Sequence, residues 1–302
     1  MRTGQWPLVA FTILTQISVG SFLVLGVVHG HAVRRKGMAQ ADRLSDLALL
    51  SILPVLGLAM LASLLHLGTP LNAPRAVANL STSWLSREIL SVLIFAVLAA
   101  VFVLIQWRKI GPFALRNGIA SVATTAGVVL IYSMSRVYML SAQPAWNTPA
   151  TPVTFFNTTL LLGCLAVGAA LVVNHELMRR RSADAPYRLL GDSLRGIAVA
   201  SVVLLAIGLA ALTYHVAHLA RSGPAGLSSV ELMVGPYGPV FTLRIILAFV
   251  GVAIFGLYLY RSSGPGEARV QGYLASGGFA VVLVAELLGR FLFYATQVRL
   301  GV

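Results

Sequence analysis

Three residues in the first third of the chain have side chains and spacing that suit proton chemistry: His66, Arg87 and Glu88. The imidazole titrates near neutrality and the carboxylate opens the next apolar run. Together they can accept protons, while the guanidinium holds an oxygen-bearing ligand or offsets the carboxylate. A substrate that gives up protons and electrons together suits such a set. A quinol headgroup is one, since it arrives from lipid and needs hydrogen-bonding partners at its two oxygens. The spacing alone leaves two other readings open, a proton-coupled carrier and a structural salt bridge.

More polar residues gather near these three. Arg75, Ser83, Trp84 and Ser86 share the same stretch; Arg136, Tyr138, Trp146 and Asn157 follow further on, and Tyr214, His215, His218, Glu231 and Arg244 further still. Polar groups in or beside apolar runs are costly and mark function more often than the residues around them. The aromatics have a simpler reading as interfacial belts, and Arg and Lys as side chains that snorkel from helix ends.

The elements that must position these groups are written in the composition. Hydrophobic residues fill 58% of 302 positions, charged residues 10%, and mean hydropathy is +0.86, against about a quarter charged in a soluble domain. Runs of about twenty apolar residues, enough to cross a hydrocarbon core of about 30 Å, recur throughout. They lie at Leu8 to Val28, Leu47 to Leu67, Ile89 to Trp107, Ile119 to Leu140, Val153 to Val173, Ile197 to His218, Val240 to Tyr260 and Tyr273 to Phe293. Strand-like alternation is absent, and in lipid a helix satisfies its own backbone. The expected fold is therefore all-α, a polytopic membrane bundle of about eight helices forming one integral membrane domain over residues 1–302. The first run is too long for a signal peptide and no small-residue cleavage site follows it, so it is read as a span.

A net charge of +13 raises nucleic acid as a partner, but the cations sit in loops. Arg34, Arg35, Lys36 and Arg43 follow the first span; Arg108, Lys109 and Arg116 the third; Arg179, Arg180, Arg181, Arg188 and Arg195 the fifth; Arg261 and Arg269 the seventh. The positive-inside rule then puts these loops in the cytoplasm and both termini outside, and no nucleic-acid partner is expected. Cys164 alone permits neither an internal disulfide nor a cysteine-ligated iron–sulfur cluster, and reads as a packing residue. Redox centres would have to come from a partner.

Residues 1–150 and 151–302 also echo each other. His31 to Lys36 closes the first span as His175 to Arg181 closes the fifth; His66 and His218 end the second and sixth; Arg87 and Arg244 open the third and seventh; Arg136 and Arg290 lie near the outer ends of the fourth and eighth. That pattern suggests tandem four-helix repeats. Glu88 corresponds to Ile245, so the first half is the one expected to carry proton chemistry.

The run Leu65-His66-Leu67-Gly68-Thr69-Pro70, then Ala73, Arg75, Ala76, Asn79 and Ser83-Trp84-Leu85-Ser86-Arg87-Glu88-Ile89-Leu90, closely resembles the membrane-anchor subunit of the anaerobic dimethyl sulfoxide reductase family. A second block resembles it too: Arg136, Tyr138-Met139-Leu140, Pro144, Trp146-Asn147-Thr148, Thr151, Phe155-Phe156, Thr158 and Leu161-Leu162-Gly163. The resemblance spans the chain. It implies a haem-free quinol-oxidising anchor in the bacterial inner membrane, with menaquinol as substrate and no haem or iron–sulfur cluster of its own. It also implies an iron–sulfur electron-transfer partner and, beyond it, a molybdopterin catalytic subunit; electrons must cross a short gap, so the partner is expected at the end that holds His66 and Glu88, which the positive-inside rule makes periplasmic. The family's quinol-site histidine falls on His66 and its acidic partner on Glu88, and Gly68, Arg75 and Arg87 lie in the same motif. With Ser86, Arg136 and Tyr138 they make the implied quinol-binding set.

Two other classes remain. A dihaem cytochrome b subunit would use His29, His31 and His175 toward one face and His66, His215 and His218 toward the other. A proton-coupled transporter would use Glu286 and Arg290, whose spacing of four puts them on one helix face, where a structural ion pair is the simpler reading. The stretch from Gly223 to Pro239, rich in Gly and Pro, is expected as an ordered loop serving as connector or docking surface.

Overall fold

In a computed structural model, which describes residues 6–66, 79–179, 187–258 and 268–300, the chain is helical and the described residues contain no strand. Helix α1 is Trp6–Lys36, α2 Met38–Leu50, α3 Ile52–His66, α4 Trp84–Arg108 and α5 Phe113–Tyr138. Helix α6 is Ala150–Arg179, α7 Tyr187–Leu219, α8 Gly223–Val234, α9 Gly238–Ala253 and α10 Ala268–Ala295, with a π-helical turn Ile254–Tyr258 prolonging α9. Among the described residues eight helical stretches are long and apolar enough to cross a membrane, as expected from the apolar runs.

The second span, Met38–Leu65, is broken between α2 and α3 at Ser51. Pro54 explains the break, because its ring would clash with the Leu50 carbonyl four residues back while its missing N–H costs nothing in the first turn of α3. Ser51 Oγ donates to the Ala48 carbonyl at 2.7 Å and helps close the end of α2. Helix α4 begins where Ser83 caps it, Oγ accepting from the Ser86 amide at 3.3 Å, and ends at Lys109 in the left-handed conformation with φ 56°. The α4–α5 hairpin is then completed by Gly111 at φ 76° and by Pro112 at the start of α5.

Between Gly223 and Pro239 the structure corrects the expectation of a loop. Residues Gly223–Val234 form α8, and α9 starts at Gly238 after a short turn. Pro224 and Pro239 each sit in the first turn of their helix, where a fixed φ of about −65° and an absent N–H are favourable, so the Gly-Pro pairs start helices here.

Helices α1 and α6 form the centre and cross closely. A Cβ on Gly20 would collide with the Thr159 carbonyl, and one on Gly163 with the backbone of Gly20. Small residues allow such backbone approach between membrane helices. Helix α1 packs on α3 as α6 packs on α7; α4 pairs with α5 as α9 pairs with α10; α5 touches α1 as α10 touches α6. The outer faces carry large apolar side chains, among them Leu61, Val97, Val101, Ile246 and Phe249, a surface that hydrocarbon solvates and water does not.

Candidate functional site

Two groups of charged and polar side chains are bonded together in this bundle, one toward each end. At the end of the basic loops, His29 Nδ1 bonds Ser45 Oγ at 2.9 Å and its Nε2 lies 3.7 Å from Asp42. Lys109 bridges Asp42 at 2.8 Å and Asp46 at 2.7 Å, and Gln106 Nε2 donates to both carboxylates. The buried Arg116 donates to Gln106 Oε1 at 2.9 Å. These contacts tie α1, α2, α4 and α5 together. His29 Nδ1 is thus engaged by Ser45, across from α1 to α2. Among the described residues no three His, Cys, Asp or Glu side chains converge as metal ligands do.

The opposite end holds the residues singled out in the sequence. His66 closes α3, but its side chain, with Gly68 and Arg75, lies outside the described residues. Glu88, one turn into α4, is 5% exposed and Ser86 3% exposed. Neighbouring Arg87, about 100° round the helix from it, is only partly buried. Its Nε and Nη2 donate to the carbonyls of Leu80 and Ser81, both at 2.8 Å, and its guanidinium lies 4.2 Å from the centre of the Trp84 ring. Arg136 also meets Trp84, at 5.0 Å. Arg87 therefore ties the preceding loop to α4, and among the described residues Glu88 makes no ion pair.

Tyr138 is buried, and its hydroxyl meets that of Tyr294 at 2.7 Å. Trp146, Phe155 and Phe293 surround the pair, and Trp146 Nε1 donates to the Phe293 carbonyl at 2.7 Å. Sequence reading missed Tyr294, because the contact joins positions 156 apart.

On α10 the expected ion pair between Glu286 and Arg290 does not form. Arg290 Nη2 donates to Gln16 Oε1 at 2.9 Å and its guanidinium sits 3.9 Å from the centre of the Phe155 ring, while Glu286 Oε2 accepts from Thr158 at 2.7 Å. Each finds a partner across the bundle that holds it away from the other. Gln16 was also missed, although a lone amide within an apolar span was a signal for it. Glu286 and Arg290 line a cavity of about 70 Å³ with His215, Arg244, Thr154 and Thr158.

Comparison with known proteins agrees with the architecture. A family model described as the DMSO reductase anchor subunit matches residues 1–296. The sequence is 29% identical over 303 residues to the C subunit of the anaerobic dimethyl sulfoxide reductase of Haemophilus influenzae, covering 100% of this chain and 98% of that one. It is 27% identical over 301 residues to the C subunit of the same description from Escherichia coli, covering 98% and 96%. Its fold is similar to that found in the bd oxidase structure from Geobacillus thermodenitrificans, with a TM-score of 0.68 at 10% identity over 98% of this chain and 88% of that one.

Proposed function

Because the chain belongs to the DMSO reductase anchor subunit family, we propose that it anchors a molybdoenzyme complex in the bacterial inner membrane and oxidises menaquinol there. The observation that carries this reading is Glu88, a carboxyl 5% exposed at the start of a membrane span and without an ion-pair partner among the described residues. Burying such a group costs several kcal/mol.

Menaquinol enters from lipid between the helices and places one hydroxyl near His66 and Glu88. Its two protons pass to these groups while its two electrons leave for an iron–sulfur partner, which feeds a molybdopterin catalytic subunit. Arg87, bonded to Leu80 and Ser81, and Ser83, capping α4, fix the entry of the helix that carries Glu88. Arg136, beside the Trp84 ring, and Tyr138 complete the proposed binding set. The iron–sulfur partner covers the end of the bundle that holds Glu88, and the distribution of basic loops supports a periplasmic position for that end.

The test is quinol-dependent reduction of the iron–sulfur partner by the purified complex, with His66→Ala and Glu88→Gln compared to wild type at equal subunit assembly. Turnover is expected to fall by about 100-fold or more in each, the usual scale for loss of a proton-accepting group. Unchanged turnover in both moves the site elsewhere.

A further inference from the structure

A groove of about 380 Å³ in the half of the bundle nearer the basic loops lies outside the mechanism above. It forms because α1 and α7 both pack on α6 and scarcely touch each other. On α1 its wall steps from Val24 through Val27 to His31, and on α7 from Ala200 through Gly196 to Asp192. Steps of three and four residues keep each set on one helix face, over a length of roughly 12 Å at 1.5 Å per residue. Both walls change from apolar to polar toward the same end, the one that carries the basic loops.

The groove has the build of an amphiphile site. Its volume falls among clefts that hold small ligands, about 300–1,000 Å³, and such clefts are apolar with a few placed polar groups. A Cβ on Gly196 would meet nothing, so protein leaves the space beside it unfilled, and Val27, 74% exposed, faces the hydrocarbon. His31 and Asp192 share the polar end and have no hydrogen-bond or ion-pair partner among the described residues. One turn beyond His31, on the same face, stand Arg34 and Arg35, followed by Lys36, all exposed. An occupant that satisfies this surface has a hydrocarbon chain for the length, an anionic group for the cations and a hydroxyl for the Asp192 carboxylate. A quinone tail meets the first requirement alone and a fatty acid the first two. A phospholipid with a glycerol headgroup meets all three, and basic residues beside a span attract anionic lipid.

We propose that this groove binds phosphatidylglycerol from the leaflet on the basic-loop side. One acyl chain lies between α1 and α7 over Leu160 and Cys164 of α6, which also border the groove. The phosphate sits at His31, Arg34 and Arg35, and a headgroup hydroxyl donates to Asp192. Bound there, the lipid fills the gap between the first and sixth spans and ties them together. The site is at the opposite end of the bundle from Glu88, so it stands or falls independently of the quinol reading.

The test strips the assembled complex of loosely held lipid in detergent and equilibrates it with an equimolar mixture of phosphatidylglycerol, phosphatidylethanolamine and phosphatidylcholine. After removal of the micelles, retained lipid and menaquinone are quantified by mass spectrometry in wild type, in Gly196→Leu and in Arg34→Gln with Arg35→Gln. The proposal expects phosphatidylglycerol to be retained well above the other two, and retention to fall by about tenfold or more when both guanidiniums are removed. Gly196→Leu, whose side chain enters only the groove, is expected to lose the retained lipid while the complex assembles as before. It decides the matter even if the double variant fails to assemble. Wild-type retention in Gly196→Leu overturns the groove as the site. Equal retention of the three lipids overturns the headgroup assignment, and menaquinone held in place of lipid, and lost in Gly196→Leu, overturns the phospholipid as occupant.

Discussion

Arg87 and Glu88 are adjacent in the chain and opposite in role. Glu88 points into the bundle, whereas Arg87 holds two loop carbonyls and lies against Trp84. Their presence at the head of a span was readable in the sequence; their division was not, since it depends on which face of α4 meets α5. Arg87→Ala is expected to loosen residues 79–83 and to cost about 1–3 kcal/mol of stability from the lost charge-assisted hydrogen bonds. Thermal denaturation of the purified complex and faster amide exchange at Leu80 to Ser83 check this. At the other end of α4, Lys109 is 40% exposed and Arg116 8%. Lys109→Met is expected to cost no more than about 1 kcal/mol. Arg116→Met leaves the buried Gln106 carbonyl unpaired and is expected to cost about 1–3 kcal/mol; the two denaturation midpoints compared in one preparation decide it.

The spans themselves were legible because their apolar length answers directly to bilayer thickness. Their irregularities were not. Met38–Leu65 reads as one hydrophobic stretch, and only the clash between Pro54 and Leu50 explains why it bends at Ser51. Helix α8 was hidden by its glycines and prolines, which sit where a helix start tolerates them. The central crossing was invisible for another reason: Gly20 and Gly163 are ordinary in any span, and only their meeting makes them necessary. Gly163→Leu is expected to push α1 from α6 and to cost at least about 1–3 kcal/mol, seen as a lower denaturation midpoint and less assembled complex, whereas Gly26→Leu, at a position where a Cβ meets nothing, is expected to be nearly silent.

At the scale of the whole molecule, the charge distribution predicts how the bundle lies in the membrane. The only cysteine, Cys164, is buried, so wild type gives little background to a membrane-impermeant thiol reagent. Ser81→Cys, in the loop before α4, is expected to label from the periplasmic side of intact cells, and Ile110→Cys, in the α4–α5 hairpin, only after lysis; the reverse pattern inverts the orientation. The long-range pairs Tyr138–Tyr294 and Gln16–Arg290 were beyond the sequence because they arise only where the last span closes against the first and fourth.

The central claim concerns where the quinol headgroup sits, and a photoreactive menaquinone analogue tests it most directly. The complex is irradiated with the analogue bound, this chain is digested, and the labelled peptides are identified by mass spectrometry with excess menaquinone as competitor. The account predicts competed label on the segments carrying His66 and Ser83 to Glu88, and its loss in Glu88→Gln. Competed label confined to other spans, unchanged in Glu88→Gln, would contradict it.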